Sequence, residues 1–215
     1  DDDNVYGIST TTHDIVWTGV TGGPVTSSPV IDAGGVAYVG SQDGKLYAFP
    51  DSCTGTCTPL WTATTGGPIE SSPALHGGTV YVGSNDGKLY AFDKETGALE
   101  WTLTTGGAVV SSPAIANGVV YFGSSDDNVY AANAAGCGAS TCSPLWTEAT
   151  GGPVLSSPVV ADGLVFVGSN DGLLHVYGLP ATGGAQHGGL AVARTALAGV
   201  VRVAPQVLSS VGSPI

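Results

Sequence analysis

Four aspartates, Asp43, Asp86, Asp127 and Asp171, recur once in each stretch of forty-odd residues, each between two apolar runs. Carboxylates are the hard oxygen ligands that calcium takes. Four of them on one face could hold that ion or meet a cationic partner. Each aspartate also heads a turn dipeptide: Asp43-Gly44, Asp86-Gly87, Asp127-Asn128 and Asp171-Gly172. Asp-Gly between apolar runs is a strong hairpin signal, and asparagine tolerates the same positive φ. Every copy has the same turn, so a hairpin explains the series without a metal, and calcium stands as the chemical alternative.

The cysteines form two local pairs, Cys53 with Cys57 and Cys137 with Cys142. Pairs this close in Gly/Ser/Thr-rich loops read as small disulfides in an oxidising compartment, on loops able to carry binding. Four thiolates could instead bind zinc, but the pairs lie two repeats apart. The histidines, His13, His76, His175 and His187, follow no metal-ligand spacing. No Ser/His/Asp set, phosphate loop or helical metal motif is present. Trp17, Trp61, Trp101 and Trp146 occupy equivalent positions in successive stretches, which assigns them to packing rather than ligand stacking.

What positions these residues is a repeat. Ser-Ser-Pro recurs with its proline at Pro29, Pro73, Pro113 and Pro158, and both it and the tryptophan step by 44, 40 and 45 residues. A period near 40 with four short strands per unit is the signature of a propeller blade. The reading is all-β, a β-propeller of four-stranded antiparallel blades over residues 1–180. It has a half blade at 1–24 and blades at 25–68, 69–108, 109–152 and 153–180. In the first unit the strands are expected at Val25–Ile31, Val36–Gly40, Leu46–Phe49 and Leu60–Ala63. The fourth unit stops after its third strand, and Asp14–Thr18 at the other end is the expected donor of the missing one. The third strand occurs five times and the Ser-Ser-Pro strand four. About four blades are therefore expected, either as a closed ring with a spare strand or as an arc of a seven- or eight-bladed ring. The arc is the reading adopted, and two arcs would complete a ring as a homodimer.

The chain has 215 residues, 34 of them glycine, with 10% charged residues and a net charge of −12. That composition suits tight turns between buried strands. The charge disfavours nucleic acid and anionic membrane surfaces, both of which want a basic face. No signal peptide or transmembrane run is visible. The start, Asp1-Asp-Asp-Asn-Val-Tyr6, matches Ser125-Asp-Asp-Asn-Val-Tyr130 in mid-repeat, so it is not expected to be a natural N-terminus. Residues 181–215 are a low-complexity Ala/Val/Gly tail. Leu179-Pro-Ala-Thr-Gly183 fits a sortase sorting pattern, but the apolar stretch after it is broken by Arg194 and no basic end follows.

Ala91-Phe-Asp93-Lys-Glu-Thr96-Gly97-Ala-Leu-Glu-Trp101 fits the Ala-x-Asp-x-x-Thr-Gly-x-x-x-Trp pattern of the pyrroloquinoline-quinone (PQQ) repeat. With Gly83-Ser-Asn-Asp-Gly87 and the Ser-Ser-Pro triplets, the chain resembles the PQQ-like repeat β-propellers over residues 1–178. The resemblance implies a Trp docked between adjacent blades. It also implies three functional classes: PQQ- and calcium-dependent dehydrogenases of alcohols or sugars, an outer-membrane assembly lipoprotein, and secreted or surface propellers without known chemistry. A tricarboxylate cofactor wants Arg or Lys clamps, and the repeats offer only Lys45, Lys88 and Lys94. The adjacent-cysteine disulfide of alcohol-oxidising members is absent. The expectation is a non-catalytic extracellular, cell-surface or periplasmic propeller that needs no cofactor and binds a protein or surface ligand.

Overall fold

The structure, a computed structural model, describes residues 2–178; the sorting-like pentapeptide, His187 and the tail lie outside the described residues. The described elements are all strands, as alternating apolar residues punctuated by Asp-Gly and Gly-Gly turns dictate. The N-terminal half blade is β1 (Asn4–Ile8) and β2 (Ile15–Val20). The first full blade has β3 (Val30–Ile31), β4 (Val36–Gly40), β5 (Lys45–Pro50), a short β6 (Gly55–Cys57) in the cysteine loop, and β7 (Trp61–Thr64). The second has β8 (Ala74–His76), β9 (Thr79–Ser84), β10 (Lys88–Asp93) and β11 (Leu99–Thr104). The third has β12 (Ala114–Ala116), β13 (Val119–Gly123), β14 (Asn128–Asn133), a loop strand β15 (Thr141–Cys142), and β16 (Trp146–Ala149). The last sheet is β17 (Val159–Ala161), β18 (Leu164–Gly168) and β19 (Leu174–Gly178).

Within each blade the strands pair antiparallel in chain order. The expected donation of residues 14–18 to the fourth unit does not occur. β2 pairs with β1 and with β6, and β19 pairs with β18 alone among the described residues. The described residues thus form an arc of sheets that does not close on itself. The expected strand at Val25–Ile31 shortens to Val30–Ile31, because Ser27 and Ser28 carry their hydrogen bonds elsewhere.

The core lies in four seams, one between each pair of neighbouring sheets. In the central seam Trp101, Tyr81 and Leu89 of the second blade meet Val120, Phe122 and Tyr130 of the third. Second strands are apolar on both sides because both sides face a seam, and Tyr38, Tyr81 and Tyr121 are all but fully buried.

The Ser-Ser-Pro triplet has a double role. The first serine ties the inner strand to its own blade: Gly40 N–H donates to Ser27 Oγ (2.8 Å), Gly83 N–H to Ser71 Oγ (3.1 Å) and Gly123 N–H to Ser111 Oγ (3.0 Å). The second serine ties blade to blade. Ser28 N–H donates to Ser72 Oγ (2.8 Å), Ser72 N–H to Ser112 Oγ (2.9 Å), and Ser112 N–H to Ser157 Oγ (3.1 Å).

Candidate functional site

The aspartate turns close on the Thr-Gly-Gly links between blades. Asp43 Oδ2 accepts Gly22 N–H (3.1 Å) and Tyr47 O–H (2.6 Å), and its Oδ1 accepts Lys45 N–H (3.0 Å). Asp86 does the same with Gly66 N–H (3.1 Å), Tyr90 O–H (2.5 Å) and Lys88 N–H (3.1 Å). In the third blade the carboxylate belongs to Asp126, not Asp127: it accepts Gly106 N–H (2.6 Å), Tyr130 O–H (2.6 Å) and Asn128 N–H (3.2 Å). Asp127 instead takes the positive φ (69°) that Gly44, Gly87 and Gly172 take in the other blades. The signal that locates the right residue is the Asp-to-Tyr spacing of four, shared by Asp43–Tyr47, Asp86–Tyr90 and Asp126–Tyr130. The half blade repeats it, with Tyr6 O–H donating to Asp2.

Asp171 completes the series with Gly151 N–H (2.9 Å) and Leu173 N–H (2.9 Å), but His175 replaces the tyrosine, its Nε2 at 2.8 Å from Asp171 Oδ2. Each carboxylate is therefore committed to donors that fix a blade junction. Among the described residues, no three His, Cys, Asp or Glu side chains stand close enough to share a metal ion. Burial pushes the tyrosine partners up, Tyr47 and Tyr90 to about 12, with the adjacent carboxylates adding to the effect.

For Asp171, burial works towards a higher pKa, but the Gly151 and Leu173 amides and His175 outweigh it and hold the carboxyl down at about 2. A carboxylate depressed in the fold stabilises it above the ordinary value of 3.8, and that contribution is lost as pH falls through about 2. The wild-type chain is thus expected to lose stability between these values, and Asp171→Asn to flatten that part of the curve. Urea melts from pH 7 to pH 2 on both chains check this; parallel curves would refute it.

The opposite face carries the outer loops. Both cysteine pairs are disulfides, Cys53–Cys57 and Cys137–Cys142. Each loop adds a parallel strand to the preceding blade: β6 lies on β2, and β15 on β11. The loops thereby cover the outer edge of alternate blades. The intervening unit has the tight Asp93–Gly97 turn instead. Asp93 Oδ1 accepts the N–H of Thr96 (2.8 Å) and its hydroxyl (2.7 Å), and Gly97 (φ 71°) lies flat on Trp61, where a Cβ would come within 2.6 Å of the ring. Trp61 Nε1 donates to Lys94 O (3.1 Å), and Lys94 Nζ reaches Asp32 of the first blade (3.2 Å).

Trp17 and Trp101 are buried and Trp61 and Trp146 half-buried, each in a seam. A groove of about 590 Å³ runs under the second cysteine loop, lined by Thr79, Glu100, Trp101, Gly136 and Ser140. Replacing Cys137 and Cys142 by serine is expected to cost about 2 kcal/mol or less and to free β15. Thr102 N–H, which donates to Ser140 O (2.9 Å), then loses hydrogen-exchange protection, while amides of β9 keep theirs. Unchanged exchange at Thr102 would show that the loop stays docked without its bridge.

Lys45 and Lys88 open β5 and β10, and Lys94 follows β10 at its other end, where Asp32 (3.2 Å) and Glu95 (3.6 Å) hold it. His13 sits in the β1–β2 turn and His76 at the end of β8. No helix of the described residues is long and apolar enough to cross a membrane.

A family model described as outer membrane protein assembly factor BamB matches residues 54–138. The crystal structure of BamB from Moraxella catarrhalis is similar at 25% identity and a TM-score of 0.64, over 77% of this chain and 50% of that one. Two computationally designed proteins share the fold. Ika8 does so with a TM-score of 0.71 at 16% identity over 83% of this chain and 53% of its own, and Ika4 with 0.62 at 17% over 74% and 93%. The chain spans about half the length of BamB and Ika8. No match is found among curated proteins.

Proposed function

From the chain's membership of the PQQ-like repeat β-propellers, we propose that it is a non-catalytic scaffold that binds a protein or surface ligand outside the reducing cytosol. The observation that carries this reading is the use made of the acidic residues. The carboxylates of Asp43, Asp86, Asp126 and Asp171 are each taken by the amides and the tyrosine or histidine of a blade junction. These four build the frame rather than standing poised as acids or bases. The residues that vary from unit to unit are the outer loops, and rigid frames with variable loops are where binding tends to sit. The two disulfides support a periplasmic, cell-surface or extracellular location. No cofactor is part of this proposal; PQQ and calcium belong to the dehydrogenase reading, which the small number of lysines, with Lys94 already held by Asp32, disfavours.

A second reading has its own support. The assembly-factor family model covers the middle of the chain, and BamB shares the fold at 25% identity. On that reading the partner is a protein of outer-membrane assembly.

The test places a photo-crosslinking residue at Thr54 or Ser140 on the loop face, and at Gln42 or Ser125 on the aspartate face, in cells producing the chain. Crosslinks to a discrete partner from the loop face alone are expected, and an outer-membrane assembly protein among them would favour the second reading. Equal crosslinking from both faces would reject the loop face. Turnover of an alcohol or sugar by the purified chain with PQQ and calcium would overturn the scaffold reading itself.

A further inference from the structure

The seam between the second and third blades buries a donor that the seam before it satisfies. In that earlier seam, Lys94 O accepts both Tyr38 O–H (3.2 Å) and Trp61 Nε1–H (3.1 Å). Ala134 stands where Lys94 does. Its N–H donates to Gly118 O, as that of Lys94 does to Gly78 O, and its carbonyl accepts Tyr81 O–H (2.7 Å). The indole does not follow. Trp101 is 3% exposed, and its Nε1 has no partner among the described residues. The two rings are turned differently. A Cβ at Gly97 would meet Trp61 at Cε3 and Cδ2, whereas one at Gly136 would meet Trp101 at Cδ1 (2.6 Å) and Nε1 (2.9 Å). The N–H edge of Trp101 therefore faces the cysteine loop of the third blade rather than the Ala134 carbonyl.

Trp101 and that loop are opposite sides of the groove of about 590 Å³. Beside the indole stands the exposed carboxylate of Glu100, whose Oε2 accepts the Thr79 hydroxyl (2.9 Å). The loop wall, Ala134–Ser140, has small side chains, so a ligand can approach its backbone. A cavity of this size takes a small molecule or a short stretch of peptide. The face it opens on is acidic. Its turns carry Asp51, Asp93, Glu95 and Asp162, and its lysine, Lys94, is already paired with Asp32 and Glu95. Lys45 and Lys88 stand at the other ends of their strands.

We propose that this groove binds a basic segment of a partner protein, with a lysine or arginine on Glu100 and a backbone carbonyl on Trp101 Nε1. Lys94 is the precedent within the chain. One residue there gives its carbonyl to an indole N–H (3.1 Å) and its ammonium to a carboxylate of the neighbouring blade (3.2 Å). Gly136 covers the Trp101 N–H in the free chain, so the entering segment lifts the loop at its two positive-φ glycines, Gly136 (74°) and Gly138 (79°). A sugar is the poorer fit, because Trp101 turns an edge to the groove and has no exposed face to stack on. A buried donor left unpaired is costly, and a ligand carbonyl would relieve it. The proposal rests on the scaffold reading for the choice of a protein as ligand.

The probe is the peptide acetyl-Gly-Lys-Gly-amide, titrated into the isotope-labelled full chain while its indole N–H signals are followed by nuclear magnetic resonance. Trp101→Phe, which keeps an aromatic ring in the seam, identifies the Trp101 signal by its loss. In the wild-type chain that signal is expected to move downfield and saturate, with a Kd of about 1 mM. The Trp61 signal, already bonded to Lys94 O, is expected to stay. Glu100→Gln keeps an acceptor for Thr79 but removes the charge, and is expected to weaken binding about fivefold. Trp101→Phe, read from the Gly138 amide, is expected to weaken it by about as much. A Trp101 signal indifferent to the lysine peptide would overturn the proposal. So would equal affinity for a peptide with norleucine in place of lysine, or unchanged affinity in Glu100→Gln. Saturation by maltotriose in the peptide's place would make the groove a sugar site and overturn it too. Partner crosslinks from Thr54 without peptide binding would leave the scaffold reading standing and remove the groove. Peptide binding with no crosslinked partner from either face would do the reverse.

Discussion

Trp101→Ala is expected to lower the unfolding free energy by about 3–5 kcal/mol, the range for removing a large buried aromatic side chain. Trp101 is 3% exposed in the central seam, packed with Tyr81 at a ring separation of 5.9 Å and with Leu103, Val120 and Phe122. Gly136 of the third blade covers it so closely that a Cβ there would stand 2.6 Å from the indole, so little can move in to fill the space. In a repeat array the stability of the whole is a sum of blade terms and seam terms. Loss of the central seam should therefore also uncouple the two sides. Urea unfolding followed by circular dichroism is expected to show a lower midpoint and a shallower slope than wild type, the sign of split cooperativity.

Trp61 separates packing from hydrogen bonding. Its Nε1 donates to Lys94 O (3.1 Å), whereas Trp101 Nε1 is buried without a partner. Trp61→Phe should cost about 1 kcal/mol for that bond beyond the change in volume, and Trp101→Phe should lack this component. A loss at Trp101→Ala below about 1 kcal/mol would mean that the seam is not a principal source of stability.

The sequence carried the architecture because a propeller is a periodic object. The 44-, 40- and 45-residue steps, the Asp-Gly turns and the doubly apolar second strands each report a feature that recurs in every blade. The aspartates were legible as turn residues for the same reason. The third blade was misregistered at Asp127, because Asp126-Asp127 offers two carboxylates and a dipeptide pattern does not say which one faces the link. The i, i+4 tyrosine does, since a hairpin turn places it beside the first of the two. The strands in the cysteine loops had no pattern to announce them. β6 and β15 have three and two residues, too short for alternation, and their pairing is to the preceding blade rather than their own. The Ser-Ser-Pro triplet was visible as a marker, but its role depends on contacts some forty residues apart, which no local rule encodes.

The second large effect is expected at Gly83. Its φ is not in the left-handed region, so alanine is acceptable to the backbone, and the cost is steric. The added Cβ would lie 2.4 Å from both Val109 Cγ1 and Val109 O. The carbonyl cannot swing aside as a side chain can, and Val109 N–H is itself held by Ser84 O (3.0 Å). Gly83→Ala therefore has to push the second and third blades apart at their inner end, where Gly83 N–H also meets Ser71 Oγ (3.1 Å). Overpacking of this kind costs about 1–3 kcal/mol, and the fixed carbonyl puts Gly83 at the upper end. Gly78→Ala is the control, because a Cβ there meets nothing within 4 Å and its φ is also unexceptional; it is expected to change stability by no more than about 0.5 kcal/mol. Denaturant midpoints for the two variants decide the matter. If Gly83→Ala matched Gly78→Ala, the blades would have the freedom to slide, and close approach at the seam glycines could not be what sets the spacing of the propeller.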